Sequence, residues 1–164
     1  MLAQAIHKTP VGELFLVSDE HILLAAGFKD FKDLFGRMDS ADQKREVKSV
    51  KSIPIISDLI KDYFDGDLTA LGGIKVRQPG AEFSQEVWKA MRKIPIGKTW
   101  SYSDLADRAG SPNAVRAVGT ACARNLIAPI IPCHRVIKTG GALGNYGYGL
   151  GVKDWLLRHE GALK

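Results

Sequence analysis

The period of the apolar residues changes partway along this 164-residue chain, and that change limits the folds open to it. Leu2–His7, Glu13–Ser18 and His21–Phe28 are apolar or alternating runs of strand length, with Thr9-Pro10-Val11-Gly12 a turn between the first two. From Ser84, a candidate N-cap, the spacing turns helical: Val87, Trp88 and Met91 recur until Ile94-Pro95-Ile96-Gly97. The two regimes meet at Gln78-Pro79-Gly80. This predicts an α/β part over residues 1–80 and a mostly helical part over residues 81–164. Within the first part, Ile53–Phe64 has helical spacing and Gly66 is placed to end that helix. Asp39-Ser40-Ala41-Asp42 reads as a loop, and Leu68–Gln78 as extended.

The second part continues with two short helical segments, Tyr102–Ala109 and Ala114–Arg124, joined by Gly110-Ser111-Pro112-Asn113. That is the pattern of a helix-turn-helix. Its second helix is rich in small residues, including Ala117, Gly119 and Ala121, which permit close approach to a groove or to another helix. Charge follows the same division. Residues 82–164 hold 12 Lys and Arg against 6 Asp and Glu, leaving 11 of the 23 cations and 12 of the 18 acids to the first 81 residues. The excess positive charge lies in the helical half, which fits a polyanionic partner there as well as it fits solvated surface lysines. No apolar run is long enough to span a membrane. The N-terminus lacks the basic flank and apolar core of a secretory signal, and with only two cysteines the expected compartment is the cytoplasm.

The chemistry concentrates in Ile131-Pro132-Cys133-His134-Arg135-Val136. A thiol beside two potential cations is a place for a thiolate to form below its ordinary pKa of about 8.5. Adjacent side chains diverge in strands and helices, so a bridging water is an easier relay between Cys133 and His134 than a direct hydrogen bond. A base also needs an acceptor on its other ring nitrogen, and Glu160 is one acidic candidate. Cys122, mid-helix among alanines, reads as packed. None of the Cys and His spacings is that of a metal site. Arg116 is a candidate phosphate or groove contact, Tyr102 a candidate stacking or donating group, and Asn125 a helix terminator for which an αL cap is the ordinary explanation. The glycine-rich run Thr139–Gly151 matches neither a phosphate loop nor a dinucleotide fingerprint. Val152–His159 reads as a last helix with Trp155 and Leu156 buried.

Taken together, these segments resemble the O6-alkylguanine-DNA alkyltransferase family. The match runs from Phe83 to Gly161 through Phe83-Ser84-Gln85-Glu86-Val87-Trp88, Ile94-Pro95-Ile96-Gly97-Lys98-Thr99, Arg116-Ala117-Val118-Gly119, the Cys133-His134-Arg135 core, Gly144-Asn145-Tyr146 and His159-Glu160-Gly161. It is looser before that. The resemblance implies a ribonuclease-H-like α/β domain ahead of a helical domain, no cofactor, no obligate protein partner, and double-stranded DNA containing O6-alkylguanine as partner. It implies irreversible transfer of the alkyl group to Cys133 after base flipping, with O4-alkylthymine as a second substrate. Glu160 would orient His134, Tyr102 would protonate the leaving guanine, and Asn125 would brace the cysteine turn. Arg116, Tyr102, Ala117, Gly119, Ala121 and Arg135 would meet DNA. The backbone carbonyls of Cys133 and Val136 would read the guanine amino group. Val136, Tyr146, Gly147 and Tyr148 would line the alkyl pocket.

Two positions depart from the family's pattern. Gly147 stands where relatives often have Ser, and Tyr148 where they often have Gly, which predicts a narrowed alkyl pocket. The zinc ligands of some relatives and the regulatory metal module of the adaptive-response members are absent from this sequence. A non-catalytic sensor of alkylated DNA is the alternative reading, and Cys133 argues against it because such proteins replace the cysteine. A helix-turn-helix transcription factor would leave Cys133-His134-Arg135 unexplained. A cysteine hydrolase would need a geometry that adjacent Cys and His do not offer.

Overall fold

The computed structural model describes residues 1–164, which divide into two compact units. The first comprises Met1–Pro79 and Leu126–Ile130, the second Gly80–Asn125 and Ile131–Lys164. Residues 126–130 thus join the first unit, although the sequence reading assigned them to the second part.

In the first unit β1 (Leu2–Thr9) and β2 (Gly12–Asp19) form an antiparallel hairpin. Its turn is held by Thr9 Oγ1 donating to the Gly12 carbonyl at 2.6 Å. β3 (Ile22–Gly27) pairs antiparallel with β2. α1 (Phe31–Arg37) starts at Asp30, whose carboxylate accepts from the Asp33 amide at 2.7 Å. Phe31 at its start packs edge-on against Phe15 of β2, centroids 5.0 Å apart.

Contrary to the loop expected at residues 39–42, α2 (Ser40–Gln43) is a single helical turn. The Asp39 side chain accepts from the Ala41 amide, so a run of turn-formers served as a cap. β4 (Val47–Ser49) lies parallel to β1. α3 (Ile56–Phe64) buries Ile56, Ile60 and Tyr63, and Gly66 follows its end with φ +117°. Residues 68–78 are not uniformly extended. Ala70–Gly73 forms a 3-10 turn, and only Lys75–Val76 (β5) is strand, parallel to β3. The sheet order is β4-β1-β2-β3-β5, around a core that includes Leu2, Leu14, Leu16 and Leu23. Each such leucine, fully buried, contributes about 1.5–3 kcal/mol. The 126–130 segment adds to β3, with the Ala26 amide donating to the Leu126 carbonyl and the Ala128 amide to the Ala26 carbonyl. The Gln78 side chain accepts from the Leu126 amide at 2.8 Å.

The second unit opens with α4 (Glu82–Met91), whose Val87, Trp88 and Met91 are buried. Its N-cap is Ala81 with no side-chain bond, so Ser84 lies inside the helix and is not the cap. The apolar period continues upstream of Ser84 through Phe83, which carries the helix start with it. A Cβ on Gly80 would stand 2.5 Å from the Trp88 ring, so only glycine fits under that indole. β6 (Trp100–Ser101) leads into α5 (Tyr102–Arg108), which is closed by a reciprocal capping box between Ser101 and Asp104. α6 (Val115–Arg124) packs against α4 and α5, and the Trp88 indole donates to its Ala121 carbonyl at 2.9 Å. A 3-10 turn, Cys133–Arg135, runs into β7 (Val136–Ile137), parallel to β6. α7 (Leu150–His159) completes the unit, with Leu156 buried and Trp155 half-buried on the His159 ring. No helix is long and apolar enough to cross a membrane.

Candidate active site

The 3-10 turn decides the geometry. It turns Cys133 to a partly exposed position and His134 and Arg135 into the interior. The His134 ring is fully buried, and its Nε2 lies 2.9 Å from Glu160 Oε2 at the end of α7. Its Nδ1 is also buried and has no protein partner. Consecutive side chains therefore diverge, and nothing in the protein satisfies the one ring nitrogen left for proton transfer. Burial lowers the basicity of His134 more than the nearby Glu160 raises it. For Glu160, burial opposes ionisation, but hydrogen bonds from His134 and Arg135 and the charge of Arg135 outweigh it and hold the carboxyl well below the usual carboxylate range.

Asn125 is not in the αL conformation expected of an ordinary helix terminator. At φ −58°, ψ 120° it is extended, and its side-chain amide donates to the Ile131 carbonyl at 2.8 Å and to Cys133 Sγ at 3.3 Å. Asparagine at this position ties the end of α6 to the cysteine turn. The parallel pairing of Trp100 with Val136 and of Ser101 with Ile137 sets the start of α5 beside the strand that follows Cys133. Tyr102 therefore sits close enough to feel both thiols. Burial first, then charge on Cys122 and Cys133, push its phenol pKa up. A Cβ on Gly144 would lie 3.4 Å from Tyr102 Oη, so the glycine-rich loop passes directly against that hydroxyl. Tyr146 and Tyr148 stack edge to face in that loop, centroids 5.8 Å apart, and Gly147 between them is exposed. Burial pushes the Cys122 thiol up, as a packed cysteine requires.

Two residues expected at DNA are placed otherwise. Arg135 is buried. Its Nε donates to Glu160 Oε1 at 2.8 Å, its Nη2 to Glu160 Oε2 at 3.0 Å, and its Nη1 to the Ile94 carbonyl at 3.0 Å. A guanidinium engaged in this way cannot reach a phosphate. Ala121 is fully buried on the inner face of α6, beside Val118. Arg116 and Ala117 are exposed on the outer face and Gly119 is half-exposed, with open space where its Cβ would be. Thr120 and Ala123, also among the small residues of this helix, share this outer face with Arg124, which the sequence does not single out. Their spacing from Arg116 and Ala117 at i+3, i+4, i+7 and i+8 was the available signal.

Lys153 was also missed. It is fully buried, and its ammonium donates to the carbonyls of Val136 at 2.7 Å, Leu143 and Asn145. It thereby clamps the glycine-rich loop to β7. Burial lowers its pKa, and charge on Cys133 and Cys122 opposes that. Its spacing of three and four from the buried Leu156 and Leu157 put it on the core face of α7. No group of three or more His, Cys, Asp or Glu side chains is placed to hold a metal ion.

Residues 82–162 match the family model of the 6-O-methylguanine DNA methyltransferase DNA-binding domain. The chain is 38% identical to a methylated-DNA–protein-cysteine methyltransferase of Salmonella typhimurium, over 94% of this chain and 93% of that protein. It is 38% identical to the protein of the same name from Methanosarcina acetivorans, over 96% and 97%. The crystal structure of Mycobacterium tuberculosis OGT in complex with DNA superimposes with a TM-score of 0.83 at 34% identity, covering 98% of this chain and 93% of that one. The chain belongs to the methylated-DNA–protein-cysteine methyltransferase family.

Proposed function

We propose that this protein repairs alkylated DNA by direct reversal, moving the alkyl group from guanine O6 to its own Cys133. The observation that carries the reading is the pairing within one turn of a tethered, partly exposed sulfur and a buried imidazole whose Nδ1 is unpartnered. His134, oriented by Glu160, takes the Cys133 proton through a water. The thiolate attacks the O6 alkyl carbon in line, the C–O bond breaks, and Tyr102 gives its proton to guanine N3. The product is a thioether, a poor leaving group, so each molecule reacts once.

The delivery of the base rests on the second unit. α5 and α6 are read as a helix-turn-helix that enters the minor groove, with Ala117 and Gly119 allowing close approach and Arg116 filling the gap left by a flipped base. The Val136 carbonyl, oriented by Lys153, reads the guanine amino group together with the carbonyl of Cys133. Unit 1, with an antiparallel meander and a fourth strand returning parallel to β1, supports a ribonuclease-H-like reading. Binding is expected to be salt-sensitive and largely indifferent to sequence. The residue classes fit double-stranded DNA as partner and the cytoplasm as compartment.

Tyr148 sits half-buried beside Tyr146 at the proposed alkyl pocket. Tyr148→Gly is expected to raise the rate with O6-benzylguanine by on the order of tenfold or more while leaving methyl transfer nearly unchanged. Equal benzyl rates in the two proteins would remove Tyr148 from the pocket.

The function is tested by titrating the protein against a duplex with one O6-methylguanine and digesting to nucleosides. One guanine restored per protein, with a plateau at equal amounts, is the expected outcome. Lesion-specific binding with no guanine restored would assign the chain to the damage sensors.

A further inference from the structure

The Arg135 side chain, read from the sequence as a DNA contact, has a different set of partners. Both Glu160 oxygens are occupied from inside the protein. Oε1 accepts from Arg135 Nε, and Oε2 accepts from Arg135 Nη2 and lies 2.9 Å from His134 Nε2. The fork-to-fork pair has 0% side-chain exposure at Glu160 and 9% at Arg135, and the third donor of the guanidinium is spent on the Ile94 carbonyl.

We propose that Arg135 is a positioning residue of the alkyl-transfer reaction: by filling the Glu160 fork it keeps that carboxylate a pure acceptor and so fixes His134 as the Nε2–H tautomer with Nδ1 bare. This rests on the alkyl-transfer reading of Cys133. A carboxylate held ionised carries no proton, so the hydrogen in the His134–Glu160 bond belongs to the ring. The other nitrogen is then the lone-pair end, and it is the one without a protein partner.

The guanidinium has a second effect, on charge. The groups acting on His134 are Glu160 at the end of α7, Arg135 beside it in the chain and Lys153 within α7, and the two cations oppose the carboxylate. With Arg135 present, Glu160 is already neutralised, and a neutral ring is the resting form. Without it, the carboxylate would draw its compensating proton onto His134. The imidazolium so formed has no lone pair with which to accept from the thiol.

The test uses the full-length protein, Arg135→Met and Arg135→Lys. Single-turnover methyl transfer is followed from pH 5.5 to 9, alongside affinity for undamaged duplex as a function of salt. For Arg135→Met the expected result is transfer at pH 7 slowed at least about tenfold and recovering at higher pH, with the midpoint moved up by about one unit or more. Arg135→Lys should recover part of the neutral-pH rate. The salt slope should not change in either. A slower rate with an unmoved midpoint would reduce Arg135 to a structural part. A salt slope smaller by about one would make it a phosphate contact.

Because Arg135→Met removes the guanidinium that neutralises the buried Glu160 and can fail to fold, the imidazole 15N shifts of His134 are also read in the wild-type protein. A ring protonated at Nε2 alone through pH 6–8 is the expected state. Protonation at Nδ1 at pH 7 would overturn the proposal. This readout needs no substrate, so it stands apart from the function itself. A wild-type protein that transfers no methyl group would remove the alkyl-transfer reading while leaving the tautomer measured.

Discussion

Each unit of the molecule contains an arginine–carboxylate cluster, and the two are built to different ends. In the first unit Arg45 grips Asp19 with two donors at 2.8 and 3.2 Å, and Asp42 accepts from Arg45 and Arg77. Those side chains are 10–49% exposed. The cluster joins the end of β2, the turn of α2 and the residue after β5, and its members face other members or water. In the second unit Arg135, Glu160 and His134 are withdrawn from water, and one ring nitrogen is left with nothing in the protein to bond. Ion pairs at a surface contribute little and are screened by salt, whereas a buried set with one member lacking a protein partner costs stability, and a catalytic relay accounts for it. The difference separates architecture from chemistry without reference to any relative.

That separation can be broken by exchange experiments. The largest effect is expected from Glu160→Gln. It leaves Arg135 buried without its counter-charge, at a cost of about 3–5 kcal/mol. It also removes the acceptor that orients His134, so methyl transfer should slow by about two orders of magnitude or more. Thermal unfolding and single-turnover transfer measure the two parts. An unaltered transfer rate would deny the cluster its role.

The pH dependence of stability sharpens the same contrast. His134 has a depressed pKa in the folded protein, so the unfolded chain binds the proton more readily. Its contribution is complete above about pH 6.5 and is lost as the pH falls below that value, with a slope of up to about 1.4 kcal/mol per pH unit. His7, which burial also pushes down, acts in the same direction. Glu160, depressed as well, adds its loss only at lower pH, beneath the ordinary carboxylate range. Urea midpoints from pH 8 to 4 should show the first decline beginning near 6.5, and His134→Gln should reduce it.

The smallest effect is expected from the first cluster. Asp19→Asn should change stability by less than about 1 kcal/mol, with a salt-dependent remainder, and should leave methyl transfer unchanged. A large loss of transfer there would erase the distinction between the clusters.

The sequence carried the elements whose local signals agree. β1, β2 and β3 form where the apolar and alternating runs predict strands, with the expected turn between the first two, and the Ser101–Asp104 capping box opens α5 at its expected start. It failed where a side chain's direction depends on tertiary context. Arg135 follows Cys133 and His134 in a basic half of the chain, and composition directs it toward DNA. Only the 3-10 turn, which rotates it toward Glu160, 25 residues away, directs it inward. Asn125 looked like a cap because asparagine tolerates αL, and its bond to Cys133 Sγ is invisible to local rules. Lys153 could be found from its place among the buried leucines of α7, but the carbonyls that satisfy it belong to β7 and the glycine-rich loop, which local rules do not bring to it. Residues 126–130 passed for part of the helical half because their pairing with β3 spans about a hundred positions.

The central claim is that the alkyl group ends on Cys133. Intact-protein and peptide mass spectrometry, after mixing with a duplex containing one O6-methylguanine, tests it most directly, with Cys133→Ala alongside. The account requires a single added methyl mass, located on Cys133, at most one per molecule and absent from the variant. A wild-type protein that binds the lesion and gains no mass, or gains it at Cys122, would contradict it.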